Sequence, residues 1–129
     1  MYLLDTNICI ALMQENPTAK MRFQPVASQC YIPTIVLGEL HKGVYCSQRV
    51  AQNLLKLQNF LTLLLVIDFD TLASEEFGKI QGELRQMGKP TGEMDALIAE
   101  VARSRSDILV THNIRDFENI PNLLIEDWP

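Results

Sequence analysis

The sequence predicts an α/β fold, a mainly parallel sheet of four to five short strands with helices on both faces. Short apolar runs of strand length recur along the chain: YLL, CYIP, LLVIDF, ILVT and LLIEDW. Longer stretches of helical period lie between most of them, the pattern of crossover connections in a parallel sheet. LLVIDF is nearly continuous in apolar residues, as expected of a strand covered on both faces.

The elements follow in order. YLL is the first strand, and DTNICIALMQEN continues as a helix with Ile8, Leu12 and Met13 on one face. Pro17 opens a second helix, PTAKMRFQPV, which Pro25 interrupts because proline supplies no N–H to the helix. CYIP is a strand stopped at Pro33, and TIVLGELHKGVY a helix with Thr34 as its expected N-cap. Val50, Leu54, Leu57 and Leu61 recur at helical spacing and predict an amphipathic helix. After LLVIDF, Asp70 caps a helix that ends at Gly88, with Pro90 just beyond. EMDALIAEVARSR is the last long helix, and ILVT and LLIEDW are two more strands joined by a turn holding Asn113 and Pro121. With no internal repeat and no linker rich in Gly, Ser or Pro, residues 1–129 are expected to form a single domain.

The bulk numbers narrow the functional classes. A hydrophobic fraction of 47% over 129 residues supports a real core. The net charge of −5 argues against gripping nucleic acid over a broad basic face, although bound metal and a few local cations allow a nuclease. Cys9, Cys30 and Cys46 have no CxxC spacing, so neither a disulfide framework nor a zinc site is expected and a reducing cytoplasm fits. The opening MYLLDTNICI lacks a basic leader, and LTLLLVIDF is too short to span a bilayer, so a cytoplasmic protein without membrane attachment is expected.

Four acids carry the functional reading. Asp5 ends the first strand, Glu39 lies within TIVLGELHKG, Asp95 opens the last long helix, and Asp116 follows ILVT, and the four are expected at equivalent places in a repeating strand-then-helix pattern. In a parallel α/β sheet, strand ends and the starts of following helices share the ligand-binding edge. Carboxylates gathered there repel one another unless a cation compensates. Hard oxygen ligands select a divalent ion such as Mg²⁺, and with it phosphate chemistry. Each acid also has a structural explanation. Asp5 caps a helix, Glu39 pairs with Lys42, Asp95 and Glu93 favour a helix N-terminus, and Asp116 is an ordinary turn acid. Glu39 among Ile35, Val36, Leu37 and Leu40, and Asp95 on a face with Ile98, Ala99 and Ala102, are the positions those explanations fit least.

Thr6 and Thr111 are expected to orient carboxylates through their hydroxyls, and Asn113 to offer an amide oxygen to a ligand or a water. Lys89, Arg115 and Arg49 are candidate phosphate contacts, with solvated surface charge as the alternative. His41 and His112 form a competing, metal-free acid–base pair that would use the ribose 2′-hydroxyl. Cys9 and Cys30 read as small core residues. Phosphate-binding alternatives are missing, since there is neither a P-loop ending in GK[ST] nor a GxGxxG after a strand.

Taken together, the opening LDTN, the Glu39 helix, GKPTGEMDALIAEVA, LVTHNIRDF with the following IPNL, and the closing IEDW resemble the PIN-domain ribonucleases, specifically the VapC toxins of bacterial type II toxin–antitoxin systems. The resemblance spans essentially the whole chain. It implies a PIN-like α/β fold and a Mg²⁺-dependent endoribonuclease, with Mn²⁺ able to substitute. Asp5, Glu39, Asp95 and Asp116 match the family's acidic quartet, and Asp5 and Asp95 its magnesium ligands. The other two acids are then further ligands or water-positioning groups. The resemblance also implies homodimerisation, inhibition by a VapB-like antitoxin, and cleavage of structured RNA such as tRNA, with initiator tRNA the leading choice. Glu93 and Met94 depart from relatives that often carry Asn there, which bears on substrate contacts rather than on the acids. The alternatives are a non-catalytic PIN-fold module that binds RNA or protein, or a freestanding RNA-processing nuclease without an antitoxin.

Overall fold

A computed structural model describes all residues from 1 to 129. Its sheet has five strands: β1 (Tyr2–Leu4), β2 (Cys30–Pro33), β3 (Leu65–Ile67), β4 (Ile108–Val110) and β5 (Leu124–Glu126). They lie in the order β3-β2-β1-β4-β5, and every neighbouring pair is parallel. All four residues of β2 are buried. Successive strand residues face opposite sides, so helices cover both faces of the sheet there.

The seven helices are α1 (Thr6–Met13), α2 (Pro17–Phe23), α3 (Thr34–Tyr45), α4 (Val50–Leu61), α5 (Thr71–Met87), α6 (Glu93–Arg105) and α7 (Ile114–Phe117). Local chemistry sets several of their limits. Asp70 Oδ1 accepts from Ala73 N at 2.8 Å to start α5, and Gly88, at φ +66°, ends it in the left-handed conformation that glycine adopts without a Cβ penalty. Asn16 caps α2 with Pro17 at its first position, and Pro25 turns the chain from α2 into a 3₁₀ segment, Gln24–Gln29. A cluster of 26 buried apolar residues, drawn from the strands and the helices packed on them, forms the core.

Four expectations need correction. β3 is not covered on both faces; it is an edge strand, with Leu65 54% and Val66 41% exposed. Its apolar run signals burial of only part of each face. Thr34 is not the cap of α3. The cap residue is Pro33, which makes no side-chain capping bond, and the Thr34 hydroxyl instead accepts from Phe69 N at 3.3 Å, pinning the chain beyond β3. The link from β4 to β5 is not a bare turn, since the four-residue helix α7 lies within it. Nor do the four acids occupy equivalent positions. Asp5 is the N-cap of α1, Asp95 lies in the first turn of α6, Glu39 is more than a turn inside α3, and Asp116 is within α7.

Candidate active site: an acidic edge without a counter-cation

β1 is the central strand, and the chain moves to opposite sides of it through β2 and then β4. This reversal opens a crevice at the C-terminal edge of the sheet, the usual ligand site of open α/β folds. Asp5 stands there, one residue past β1, and is only 6% exposed. Both of its oxygens are held. Thr6 N donates to Oδ1 at 2.8 Å, and the fully buried Thr111 hydroxyl donates to Oδ2 at 2.8 Å. The Thr6 hydroxyl donates in turn to Glu39 Oε1 at 2.7 Å, joining α1 to α3. Thr111 also accepts from Asn113 N at 3.0 Å, which ties the loop after β4 to the same carboxylate.

Electrostatics brings all four acids into one field. Burial raises the Asp5 carboxyl above its ordinary value. The bonds from Thr111 and Thr6 oppose that shift, and the charges of Glu39 and Asp116 reinforce it. Asp95 is pushed up to about 6 by burial first, then by Asp116, Asp5 and Glu39. Against this repulsion, none of the four carboxylates forms an ion pair with Lys, Arg or His. A cluster of acids with no basic partner could be offset by a cation from solution.

The donor set fits a hard divalent ion. The ligands are carboxylate oxygens, and Asp5 keeps outward lone pairs after its two protein bonds. No three His, Cys, Asp or Glu side chains converge closely enough to enclose an ion by themselves. The arrangement therefore suits an ion that rests on few carboxylates and keeps much of its water, as Mg²⁺ does.

The remaining candidates separate. Thr6 and Thr111 orient carboxylates through their hydroxyls. Asn113 contributes its backbone N–H, and its side chain makes no bond to the acids. Lys89, Arg115 and Arg49 are exposed, and none is paired with a carboxylate. The two histidines are engaged apart, with His41 stacked on Tyr45 and His112 paired with Asp127. Cys9 and Cys30 are buried, and burial pushes the Cys30 thiol up to about 12, so neither is a nucleophile. One positioning residue was missed. Asn7 accepts from His112 N at 3.3 Å and donates to the Thr111 hydroxyl at 3.5 Å, bridging α1 to the end of β4. Its place in LDTN beside Asp5 was the available signal.

A parallel sheet of this order with carboxylates gathered at its central switch point defines a class of nuclease-like α/β domain. The PIN domain family model matches residues 2–123. The tRNA(fMet)-specific endonuclease VapC of Shigella flexneri is 38% identical, covering 98% of this chain and 97% of that protein. Ribonuclease VapC2 of Rickettsia felis is also 38% identical, with the same coverage. Among solved structures, the DNA-bound VapBC of Salmonella typhimurium superposes with a TM-score of 0.95 at 39% identity, covering 99% of this chain and 98% of that one. The chain belongs to the PIN-domain family and, within it, to the VapC ribonucleases.

Proposed function

We propose that this chain is the toxin of a type II toxin–antitoxin pair, an endoribonuclease that uses Mg²⁺, or Mn²⁺ in its place, to hydrolyse structured RNA. The observation that carries the reading is the four-acid edge, Asp5, Glu39, Asp95 and Asp116, with no basic counter-charge. Initiator tRNA is the leading substrate, because relatives at 38% and 40% identity are named as tRNA(fMet)-specific endonucleases.

Asp5 and Asp95 would hold the ion. When bound, a divalent cation lowers the pKa of water and offsets charge that develops on phosphate oxygens. The chain's own groups set the geometry. Thr6 N and the Thr111 hydroxyl fix the Asp5 plane, and the Thr6 hydroxyl holds Glu39 toward the same edge. Glu39 and Asp116 would serve as further ligands or position the attacking water, whose proton passes to one carboxylate of the edge. Attack on phosphorus forms the bond to the water oxygen and breaks the bond to the 3′-oxygen, which takes a proton from solvent, leaving 5′-phosphate and 3′-hydroxyl ends.

The proposed inhibitor is a VapB-like antitoxin, as expected from solved VapBC complexes of relatives. An Arg or Lys from its C-terminal segment would enter the acidic edge, where guanidinium pairs with carboxylate in two parallel bonds. A cavity of about 320 Å³ between α1, α3 and α4, lined by Ile10, Met13, Leu40, Val44 and Leu57 among others, suits apolar anchors of such a segment. A homodimer would seat two antitoxins at once and add avidity. No helix is long and apolar enough to cross a membrane, and a cytoplasmic site of action suits an RNA target.

The test is cleavage of tRNA by the purified chain with Mg²⁺, with EDTA, and as Asp5→Asn and Asp95→Asn, followed by sequencing of the ends. Loss of cleavage in the last three conditions, with 5′-phosphate products in the first, supports the reading. Cleavage that survives EDTA and leaves cyclic phosphates overturns it. Co-expression with the neighbouring small reading frame tests the partner, which must form a complex and relieve growth arrest.

A further inference from the structure

His112 and Asp127 each stand one position or two past the end of their strands, β4 and β5, on the same edge as Asp5. The register pairs Val110 with Glu126, and Thr111 N donates to Glu126 O at 3.0 Å. This brings the His112 ring against Asp127, with Nδ1 2.7 Å from Oδ1. On its other side, His112 N donates to Asn7 Oδ1 at 3.3 Å, and Asn7 reaches Thr111, which holds Asp5. The His112 backbone is thus tied through Asn7 and Thr111 to the central carboxylate, its ring is held by Asp127, and the strand it follows, β4, pairs directly with β1, the strand that Asp5 follows.

The pairing determines what the ring offers. An ionised carboxylate only accepts, so Nδ1 carries the proton. In the neutral ring, Nε2 is then an acceptor. The His112 side chain is 34% exposed and that of Asp127 31%, so the ring is fixed and still open to a ligand. A surface rich in carboxylates already provides acceptors, but they are charged and directed to a cation. An uncharged acceptor on the same edge of the sheet suits a hydroxyl donor on the substrate. The ribose 2′-hydroxyl is the donor that separates RNA from DNA.

We propose that His112, its tautomer set by Asp127, accepts a hydrogen bond from a ribose 2′-hydroxyl at the acidic edge and so contributes to the choice of RNA over DNA. The hydroxyl is read and not consumed, so the water-driven reaction is unchanged. The inference rests on the ribonuclease reading above.

The experiment uses an RNA stem-loop that the wild-type chain cleaves, together with versions carrying a single 2′-deoxy nucleotide at each position around the cut. The wild type is expected to lose about fivefold in kcat/KM at one position, the size of one neutral hydrogen bond. In His112→Ala the all-ribose substrate should slow by a similar factor, and the ribose-to-deoxyribose ratio at that position should collapse toward one. His112→Gln, whose amide oxygen accepts, should recover part of the ratio, and Asp127→Asn should lose part of it. A merely structural role would lower all substrates alike and leave the ratio intact, which overturns the proposal. If the wild type cleaves no RNA, the ribonuclease reading fails on its own. Binding of the labelled ribo and deoxy stem-loops in EDTA then tests His112 directly, and equal discrimination by wild type and His112→Ala rejects it.

Discussion

The Thr6 hydroxyl donates to Glu39 Oε1 at 2.7 Å across 33 positions of sequence, while the Thr6 backbone N–H holds Asp5 Oδ1 at 2.8 Å. One threonine in the first turn of α1 therefore orients two acids from different elements. Thr6→Val keeps the shape and the backbone bond but removes the hydroxyl. Cleavage should fall about 10- to 100-fold, the usual effect of losing a group that orients a ligand, with a stability cost of about 1 kcal/mol. Kinetics and thermal melts on the same preparation separate the two effects. An unchanged rate would show that Glu39 needs no such support.

Ion binding has a signature that does not depend on cleavage. A ligand that binds only the folded state stabilises it, by about 2.7 kcal/mol at 100 times its Kd. Mg²⁺ or Mn²⁺ should therefore raise the Tm of the wild type, and Asp5→Asn and Asp95→Asn should lose that increase. Without divalent ions, Asp95→Asn should melt no lower than the wild type, because it removes charge from a field that already holds Asp95 at about 6. Calorimetric scans with and without ion decide both points.

Glu100 has the opposite character to the acids of the edge. It is fully buried on α6, and neither carboxylate oxygen has a hydrogen-bond partner. Burial, then the charges of Asp70 and Glu76, raise it from 4.5 to about 8. Between those values the folded chain keeps a proton that the unfolded chain releases. The stabilisation is complete below pH 4.5 and is lost as pH rises to about 8. Glu100→Gln does not titrate there, so its stability relative to the wild type should grow across this window. The scale is a few kcal/mol, at about 1.4 kcal/mol per pKa unit. Urea melts across that pH range measure the difference, and a flat profile would contradict the assignment.

Arg103 joins α6 to α5 and to the loop before β5. It donates to Glu76 at 2.8 Å, to Glu83 at 2.6 and 3.0 Å, and to the Pro121 carbonyl at 3.2 Å. Arg103→Ala leaves Glu76 and Glu83 without their cation, Glu76 within the field of the buried Glu100, and should cost about 2 kcal/mol. Arg103→Lys should recover little, because one ammonium cannot reproduce the planar fork. Denaturant melts give the losses. Cleavage by the folded fraction should persist in both variants, since Arg103 makes no contact with the acidic edge.

The sequence by itself determined the periodic elements, their polarity, and the residue types of the site. The limits of α5 were legible because an Asp cap and a left-handed Gly act within a few residues. Asp5 was legible because a strand end and a helix start meet there. Tertiary structure decided what these local signals leave open: that β3 lies at the exposed edge, that Glu39 inside α3 is held by the Thr6 hydroxyl, that Asn7 bridges two elements, and that Glu100 is buried without a partner. The Thr111–Asp5 bond joins residues 106 positions apart. Periodicity and capping arise from neighbours within one or two turns. Strand order, and the side chains that meet across it, depend on the packing of distant segments, which no local pattern encodes.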